Sequence, residues 1–160
     1  MLRPLTESSV FDSGVEIDAK PATGQVYRFE FIVKPEPSQH ASDLTSVFDN
    51  YNILLSWTDA GGVQLPDGYV IYASDVNSFT NPVDGNNLTV DNNLSDGNGI
   101  VKVALGIQSY SSWMNFQPDK TYYFKVYPYT NEGELIDYKT DGIIPEAQVT
   151  TPALIYPFSE

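Results

Sequence analysis

Tyrosine is the residue type in this sequence that could most readily form a ligand-binding surface, and four of the 11 tyrosines fall between residues 116 and 133. A phenol ring offers an apolar face that can stack on a sugar and a hydroxyl that can form hydrogen bonds. The stretch FQPDKTYYFKVYPYTNEG alternates as a β-strand does, so Tyr123 and Tyr127 share one face. With Tyr72 and Tyr129, they form the candidate ligand-binding set, for a glycan or a protein.

Two other interpretations of these tyrosines remain open. Rings on neighbouring strands stabilise a sheet by about 0.2 to 1 kcal/mol per pair without binding anything. The tyrosines could also provide internal cover, because residues 27–33 alternate with an aromatic face that must itself be buried. The exposure of Tyr72, Tyr123 and Tyr127 distinguishes a ligand surface from these structural roles.

Acidic side chains form a second candidate site in the Asn- and Asp-rich stretch between residues 75 and 98. Carboxylate and amide oxygens suit Ca²⁺, but the stretch DNNLSDGNGIVK lacks the sixth-position glycine and the closing glutamate of an EF-hand. Asn and Asp are also ordinary turn formers. Calcium is the one cofactor that the sequence suggests, and its candidate ligands are Asp75, Asp84, Asp91 and Asp96.

Catalytic chemistry has little support in the sequence. The chain has no cysteine and one histidine, His40, which we expect to form a structural hydrogen bond at the start of the main domain. Neither a nucleophile elbow nor a phosphate-binding loop is present. We therefore expect a protein that is not an enzyme.

Charge excludes two classes of partner. The formal net charge is −13, and residues 35–101 contain no basic side chain. Such a surface repels phosphate backbones and anionic membranes, so we expect no nucleic-acid binding. With no apolar run of about 18 residues, we expect no membrane insertion.

Short alternating runs between clusters of Gly, Pro, Asn and Asp predict an all-β fold. The two prolines of KPEPSQ, residues 34–39, favour extended backbone and mark a boundary. The predicted strands that follow cover residues 42–48, 51–59, 65–74, 98–105, 109–116, 116–133 and 146–151.

Four motifs resemble a fibronectin type III domain over residues 39–152. They are ILLSWTDA with Trp57 as the core tryptophan, LPDGYVIYAS with Tyr69, FQPDKTYYFKV and PEAQVTTP. Phe116 stands where the family has leucine, and Lys120 where it usually has threonine. The resemblance implies a seven-stranded antiparallel immunoglobulin-like β-sandwich. It also implies a tyrosine corner, in which the Tyr122 hydroxyl bonds to backbone a few residues upstream. Because side chains alternate along a strand, this corner places Tyr122, Phe124 and Val126 inward and Tyr123 and Tyr127 outward.

Longer stretches, among them SWTDAGGVQLPDGYVIYAS, resemble modules from large secreted or surface proteins of Bacteroidetes-type bacteria. The resemblance implies a non-catalytic spacer or protein-interaction module in a secreted or cell-surface multidomain protein, whose partners are its neighbouring domains. The alternative is a carbohydrate-binding module. We therefore expect residues 1–38 to be a β appendage or the end of a preceding domain, 39–152 the sandwich, and 153–160 a linker to a following domain.

Overall fold

The regular secondary structure of the described residues consists of β-strands and one three-residue 3-10 helix, Gly133–Leu135. None of the chain's described helices has the length and apolar character needed to cross a membrane. The computed structural model describes residues 3–5, 26–28 and 32–153.

Contacts divide the chain into two units, and the first is Met1–Val33. It contains an antiparallel pair of three-residue strands, β1 (Arg3–Leu5) and β2 (Val26–Arg28). Strand β2 thus covers the start of the alternating stretch at residues 27–33, and residues 29–31 of that stretch lie outside the described residues.

The second unit, Lys34–Glu160, is a sandwich of two antiparallel sheets. Its strands are β3 (Ser42–Asp49), β4 (Asn52–Thr58), β5 (Gly68–Ser74), β6 (Asn98–Ala104), β7 (Ser109–Tyr110), β8 (Thr121–Thr130), β9 (Asp137–Tyr138) and β10 (Glu146–Thr150). The smaller sheet has the order β3-β4-β7, and the larger has the order β10-β8-β5-β6, with β9 paired to β8. The predicted seven-stranded sandwich is confirmed, with β9 as an additional two-residue strand.

The main core lies between the two sheets and is built from alternate residues of each strand. The Trp57 ring packs edge-on to the Tyr69 ring, with centroids 6.0 Å apart. The Tyr69 hydroxyl accepts a hydrogen bond from the Ala60 backbone N–H at 2.7 Å, which satisfies a buried donor. Trp57 is thus the buried core tryptophan that the sequence predicted.

Strand β8 has the predicted facing, with Tyr122, Phe124 and Val126 in the main core. The Tyr122 hydroxyl accepts a hydrogen bond from the backbone N–H of Gln117, five residues upstream, at 2.9 Å. The expected tyrosine corner is present.

Strand β5 is buried along its whole length, because both of its faces are covered. Tyr69 and Ile71 point into the main core, whereas Val70 and Tyr72 belong to a second cluster on the outer face of the larger sheet. At its start, a Cβ on Gly68 would lie 2.3 Å from the Val103 carbonyl oxygen, so only glycine fits between β5 and β6.

Two parts of the sandwich differ from the strands that the sequence predicted. The strand predicted at residues 109–116 is shorter in the structure, because β7 ends at Tyr110 and the chain then leaves the sheet. Trp113 instead packs in the main core, where its ring centroid lies 5.8 Å from that of Phe124. Strand β9 was not predicted, because two residues are too few for an alternating pattern.

Candidate functional site

The outer face of the larger sheet brings together three of the four candidate tyrosines, because β8 lies next to β5. Val70 pairs with Tyr127, and Gly68 pairs with Tyr129. The Tyr72 and Tyr127 rings meet edge to face, with centroids 5.5 Å apart. Tyr123, paired with Ser74, lies at the opposite end of the shared strand stretch.

This tyrosine face is not an open surface. Tyr72, Tyr127 and Tyr129 are 9%, 0% and 6% exposed, and only Tyr123 is half-buried. Of the interpretations left open by the sequence, the exposed ligand surface is therefore wrong for these three residues, and burial under a cover is what the structure shows. They belong to what we call the outer core, whose buried members are Val70, Tyr72, Tyr127, Tyr129, Ile136 and Tyr138.

Two irregular segments supply the cover. The first is the stretch between β5 and β6, which contributes Phe79 and Leu88. The second follows β8 and contributes Ile136, Tyr138 and Ile144. Apolar side chains placed within these polar loops thus bury a sheet face that would otherwise be exposed.

Hydrogen bonds fasten the cover to the sheet and to itself. The Tyr127 hydroxyl donates to the Asn81 side-chain oxygen at 2.9 Å. The Tyr138 hydroxyl donates to the Asn86 carbonyl at 2.9 Å, and the Tyr138 backbone N–H donates to Asp84 Oδ1 at 2.8 Å. These bonds satisfy the buried phenols and hold the two covering segments together.

The electrostatics of the outer core reflect its burial. Loss of hydration raises the pKa of Tyr72 to about 12, and the neighbouring Tyr138 phenol adds to the shift. Burial, reinforced by Tyr72, likewise raises the pKa of Tyr127 to about 12. The Lys102 ammonium lies 5.0 Å from the centroid of the Tyr129 ring, and burial lowers its pKa.

Two open hollows remain on this face, and Phe79 lines both. One, of about 220 Å³, is also lined by Asn77, Tyr123, Glu146 and Gln148. The other, of about 280 Å³, is bordered by side chains that include Tyr72, Ser74, Ser78, Thr80 and Asn98. Both combine aromatic surface with hydroxyl or amide groups, and the first also contains the Glu146 carboxylate.

The ammonium group of Lys125 lies beside the first hollow and forms an ion pair there. Its ammonium lies 5.4 Å from the centroid of the Phe79 ring and 2.7 Å from Glu146 Oε1. The cation is thus paired with a carboxylate rather than left to attract an anionic ligand.

The four aspartates that were candidate calcium ligands are used separately. Asp75 Oδ2 pairs with the Lys120 ammonium at 2.8 Å, and Asp84 bonds to the Tyr138 backbone. Asp91 and Asp96 each accept a bond from the backbone N–H two residues on, as turn-forming aspartates do. Within the described ranges, no three His, Cys, Asp or Glu side chains form a group that could hold a metal ion. The structure therefore does not bring the four carboxylates into one site.

His40 has the structural contact that the sequence suggested. Its Nε2 lies 2.6 Å from the Asp141 carbonyl oxygen, so the ring joins the segment before β3 to the loop before β10.

Sequence reasoning missed the covering residues. Phe79, Ile136 and Tyr138 lie in segments without strand or helix periodicity, so their pattern gave no facing. The available signal was their apolar character within otherwise polar loops, because such residues need a place to be buried.

Comparison with known proteins adds little to this picture. No known family's sequence profile matches the chain, and no curated protein matches it. A solved structure from a study of the computer-based redesign of a β-sandwich protein is 13% identical, with a TM-score of 0.42. The match covers 77% of this chain and 94% of that chain. The strand order itself defines the class: this is an all-β sandwich of two antiparallel sheets with an immunoglobulin-like arrangement.

Proposed function

We propose that the chain is a non-catalytic module of a secreted or cell-surface multidomain protein, where it acts as a spacer or as a protein-interaction and adhesion module. A spacer must hold the chain that enters it in a fixed direction. The observation that carries the proposal is the way the segment at residues 34–41 is fastened to the sandwich.

The fastening centres on Asn131, which follows β8. Its side-chain amide accepts from the Lys34 backbone N–H at 2.9 Å and donates to the Lys34 carbonyl at 2.8 Å. Its own backbone N–H donates to Asp67 Oδ2 at 2.8 Å, and Asp67 also pairs with the Lys34 ammonium. The three residues form a closed network that binds backbone as well as side chain.

Further bonds continue along the same segment. The Thr130 hydroxyl donates to the Pro35 carbonyl at 2.9 Å, and the Lys139 ammonium lies 2.8 Å from Glu36 Oε1. Ser38 and Gln64 exchange two bonds of 2.9 Å. Two prolines stiffen the backbone between these points. A segment held in this way suits a joint that sets direction.

The direct test is to raise an antiserum against the chain and to probe extracellular, surface and interior fractions of the source cells. The proposal predicts a polypeptide larger than 17.8 kDa in the extracellular or surface fraction. A band of the chain's own mass confined to the cell interior would contradict it.

A second candidate function is carbohydrate binding, and the two hollows beside Phe79 favour it. Together they offer ring surfaces from Phe79 and Tyr123 and hydrogen-bonding amides from Asn77 and Gln148. Sugars present apolar C–H faces and hydroxyl edges that match such a mixture. Because the chain carries a net charge of −13, the ligand would be a neutral glycan.

Pull-down on a panel of insoluble neutral polysaccharides tests this candidate, with calcium and with a chelator. The variant is Phe79→Ala/Tyr123→Ala, and the control is Tyr51→Ala, which removes an exposed ring that lines neither hollow. Binding that only the double variant loses would support the hollows. Binding that the chelator abolishes would support the calcium proposal, and no binding in any arm would contradict the glycan candidate.

A further inference from the structure

An apolar pocket of about 500 Å³ lies where the hairpin between β3 and β4 meets the corner before β8. The rings of Phe48 and Phe116 meet edge to face there, with centroids 5.9 Å apart. Its described lining residues are Phe48, Tyr51, Phe116, Pro118, Thr151, Pro152 and Ala153. Its volume is within the range of pockets that receive small ligands or side-chain clusters.

Tyr51 holds an unfavourable backbone conformation at the rim of this pocket. The two-residue hairpin turn has φ values of 45° at Asn50 and 65° at Tyr51. Such turns favour Asn-Gly, and a bulky side chain at positive φ is strained. Tyr51 is nevertheless 88% exposed, so its ring is available for a contact at the rim of the pocket.

The chain itself leaves the sandwich along the wall of the pocket. The Thr151 backbone N–H donates to the Lys120 carbonyl at 2.9 Å, and its hydroxyl donates to the Gln117 carbonyl at 2.6 Å. The Asp119 N–H then donates to the Pro152 carbonyl at 3.1 Å. Residues 151–153 are therefore fixed to the corner, and they line the pocket.

The next five residues in the sequence are Leu, Ile, Tyr, Pro and Phe at positions 154–158. They lie outside the described residues. A run of two aliphatic and two aromatic side chains around a proline needs a partner away from water. An extended backbone advances roughly 3.3 to 3.6 Å per residue, so the first two or three residues can already span a pocket that starts beside residue 153.

We propose that this pocket receives the apolar side chains of residues 154–158 of the same chain and that Tyr51 packs on them. The pocket and its occupant match in chemistry, because both are aromatic and aliphatic and neither carries a charge. Attachment through residues 151–153 makes the contact intramolecular, which favours it over any free peptide. The proposal goes beyond the function proposed above, since it fixes how the chain leaves the sandwich whatever follows it.

Nuclear Overhauser effects in the full chain provide the test. We expect cross-peaks from the rings of Tyr156 and Phe158 to the side chains of Phe48, Tyr51 and Phe116. In a Tyr156→Ser/Phe158→Ser variant these cross-peaks vanish and the backbone amide signals of the pocket residues shift. A Ser159→Gly/Glu160→Gln variant is the matched control, and its pocket signals stay in place.

Two outcomes would overturn the proposal. The first is the absence of such cross-peaks together with pocket signals that the Tyr156→Ser/Phe158→Ser variant leaves unchanged. The second is cross-peaks seen only between differently labelled chains in a mixed sample, because the occupant would then be a second copy of the chain.

Discussion

The Tyr72 ring lies edge-on to the Tyr127 ring, with centroids 5.5 Å apart and planes inclined by 63°. The two rings lie on neighbouring strands, on the outer face of the larger sheet. In a sandwich without covering loops, this face is exposed to solvent. In this chain two loops close over the pair and make the face a second core. The sandwich is therefore packed on both sides of its larger sheet.

Removing a covering side chain should destabilise the protein as much as a change in the main core. Ile136 is 1% exposed in the outer core, whereas its neighbour Leu135 is 55% exposed. We expect Ile136→Ala to lower the free energy of unfolding by about 2 to 5 kcal/mol, because it leaves a cavity. Leu135→Ala is the matched control and should change it by less than about 0.5 kcal/mol. Chemical denaturation measures both, and equal effects would show that the cover is not packed.

The tyrosine corner should contribute measurably to stability. Tyr122→Phe removes the acceptor of the Gln117 backbone N–H, which then lies unpaired in a partly buried site. We expect a loss of about 1 to 3 kcal/mol in the free energy of unfolding. Tyr123→Phe is the matched control. It removes the hydroxyl oxygen of the next residue, which is half-buried and points outward, and it should change the free energy of unfolding little. A Tyr122→Phe protein as stable as the parent would rule out the corner.

Stability should fall steeply in alkaline solution. The pKa values of Tyr69, Tyr72 and Tyr127 are each raised to about 12 from the ordinary value of 10.0, chiefly by burial. The unfolded chain therefore loses these phenol protons at lower pH than the folded chain does. The stability that the three protonated phenols contribute is fully present below about pH 10 and is lost between about pH 10 and 12.

Each of these tyrosines adds a slope approaching about 1.4 kcal/mol per pH unit in that window. Denaturation curves measured across the window, compared with Tyr72→Phe, check the prediction. The variant should show a shallower decline with pH than the parent. The same decline in Tyr72→Phe as in the parent would contradict the assignment to that residue.

The joint at residues 34–41 should depend on one side chain. Glycine tolerates the φ of 60° at position 131, so Asn131→Gly preserves the backbone conformation. The substitution removes the side-chain amide that holds Lys34. Each lost bond is worth about 0.5 to 1.5 kcal/mol, so the Lys34 amide should exchange with solvent roughly tenfold faster. Asn50→Gly, at a φ of 45°, controls for the change of residue type. Unchanged exchange at Lys34 would mean that the amide does not hold the joint.

The sequence determined the strands and their facing where alternation is sustained. Tyr122, Phe124 and Val126 were assigned inward and Tyr127 outward, because side chains on a strand alternate strictly. The corner motif then set which face is inward. These inferences need only local spacing, which a single sequence contains.

Whether the outward face of β8 is exposed or buried could not be predicted in the same way. Tyr127 was expected on a surface, yet it is buried by Ile136 and Tyr138 and by residues of the loop after β5. Loop paths depend on contacts between residues far apart in sequence, and these loops have no periodicity. The four aspartates illustrate the same limit, since composition suggested one metal site and the structure uses each carboxylate in a separate contact.

Nitration of tyrosines in the folded chain, mapped by mass spectrometry, tests most directly whether the outer tyrosine face is a core rather than a ligand surface. We expect modification of the half-buried Tyr123 in the folded protein, and protection of Tyr72, Tyr127 and Tyr138 until the protein unfolds. Modification of Tyr72 and Tyr127 at the rate of Tyr123 would contradict this expectation, and would restore the exposed tyrosine face as a binding surface.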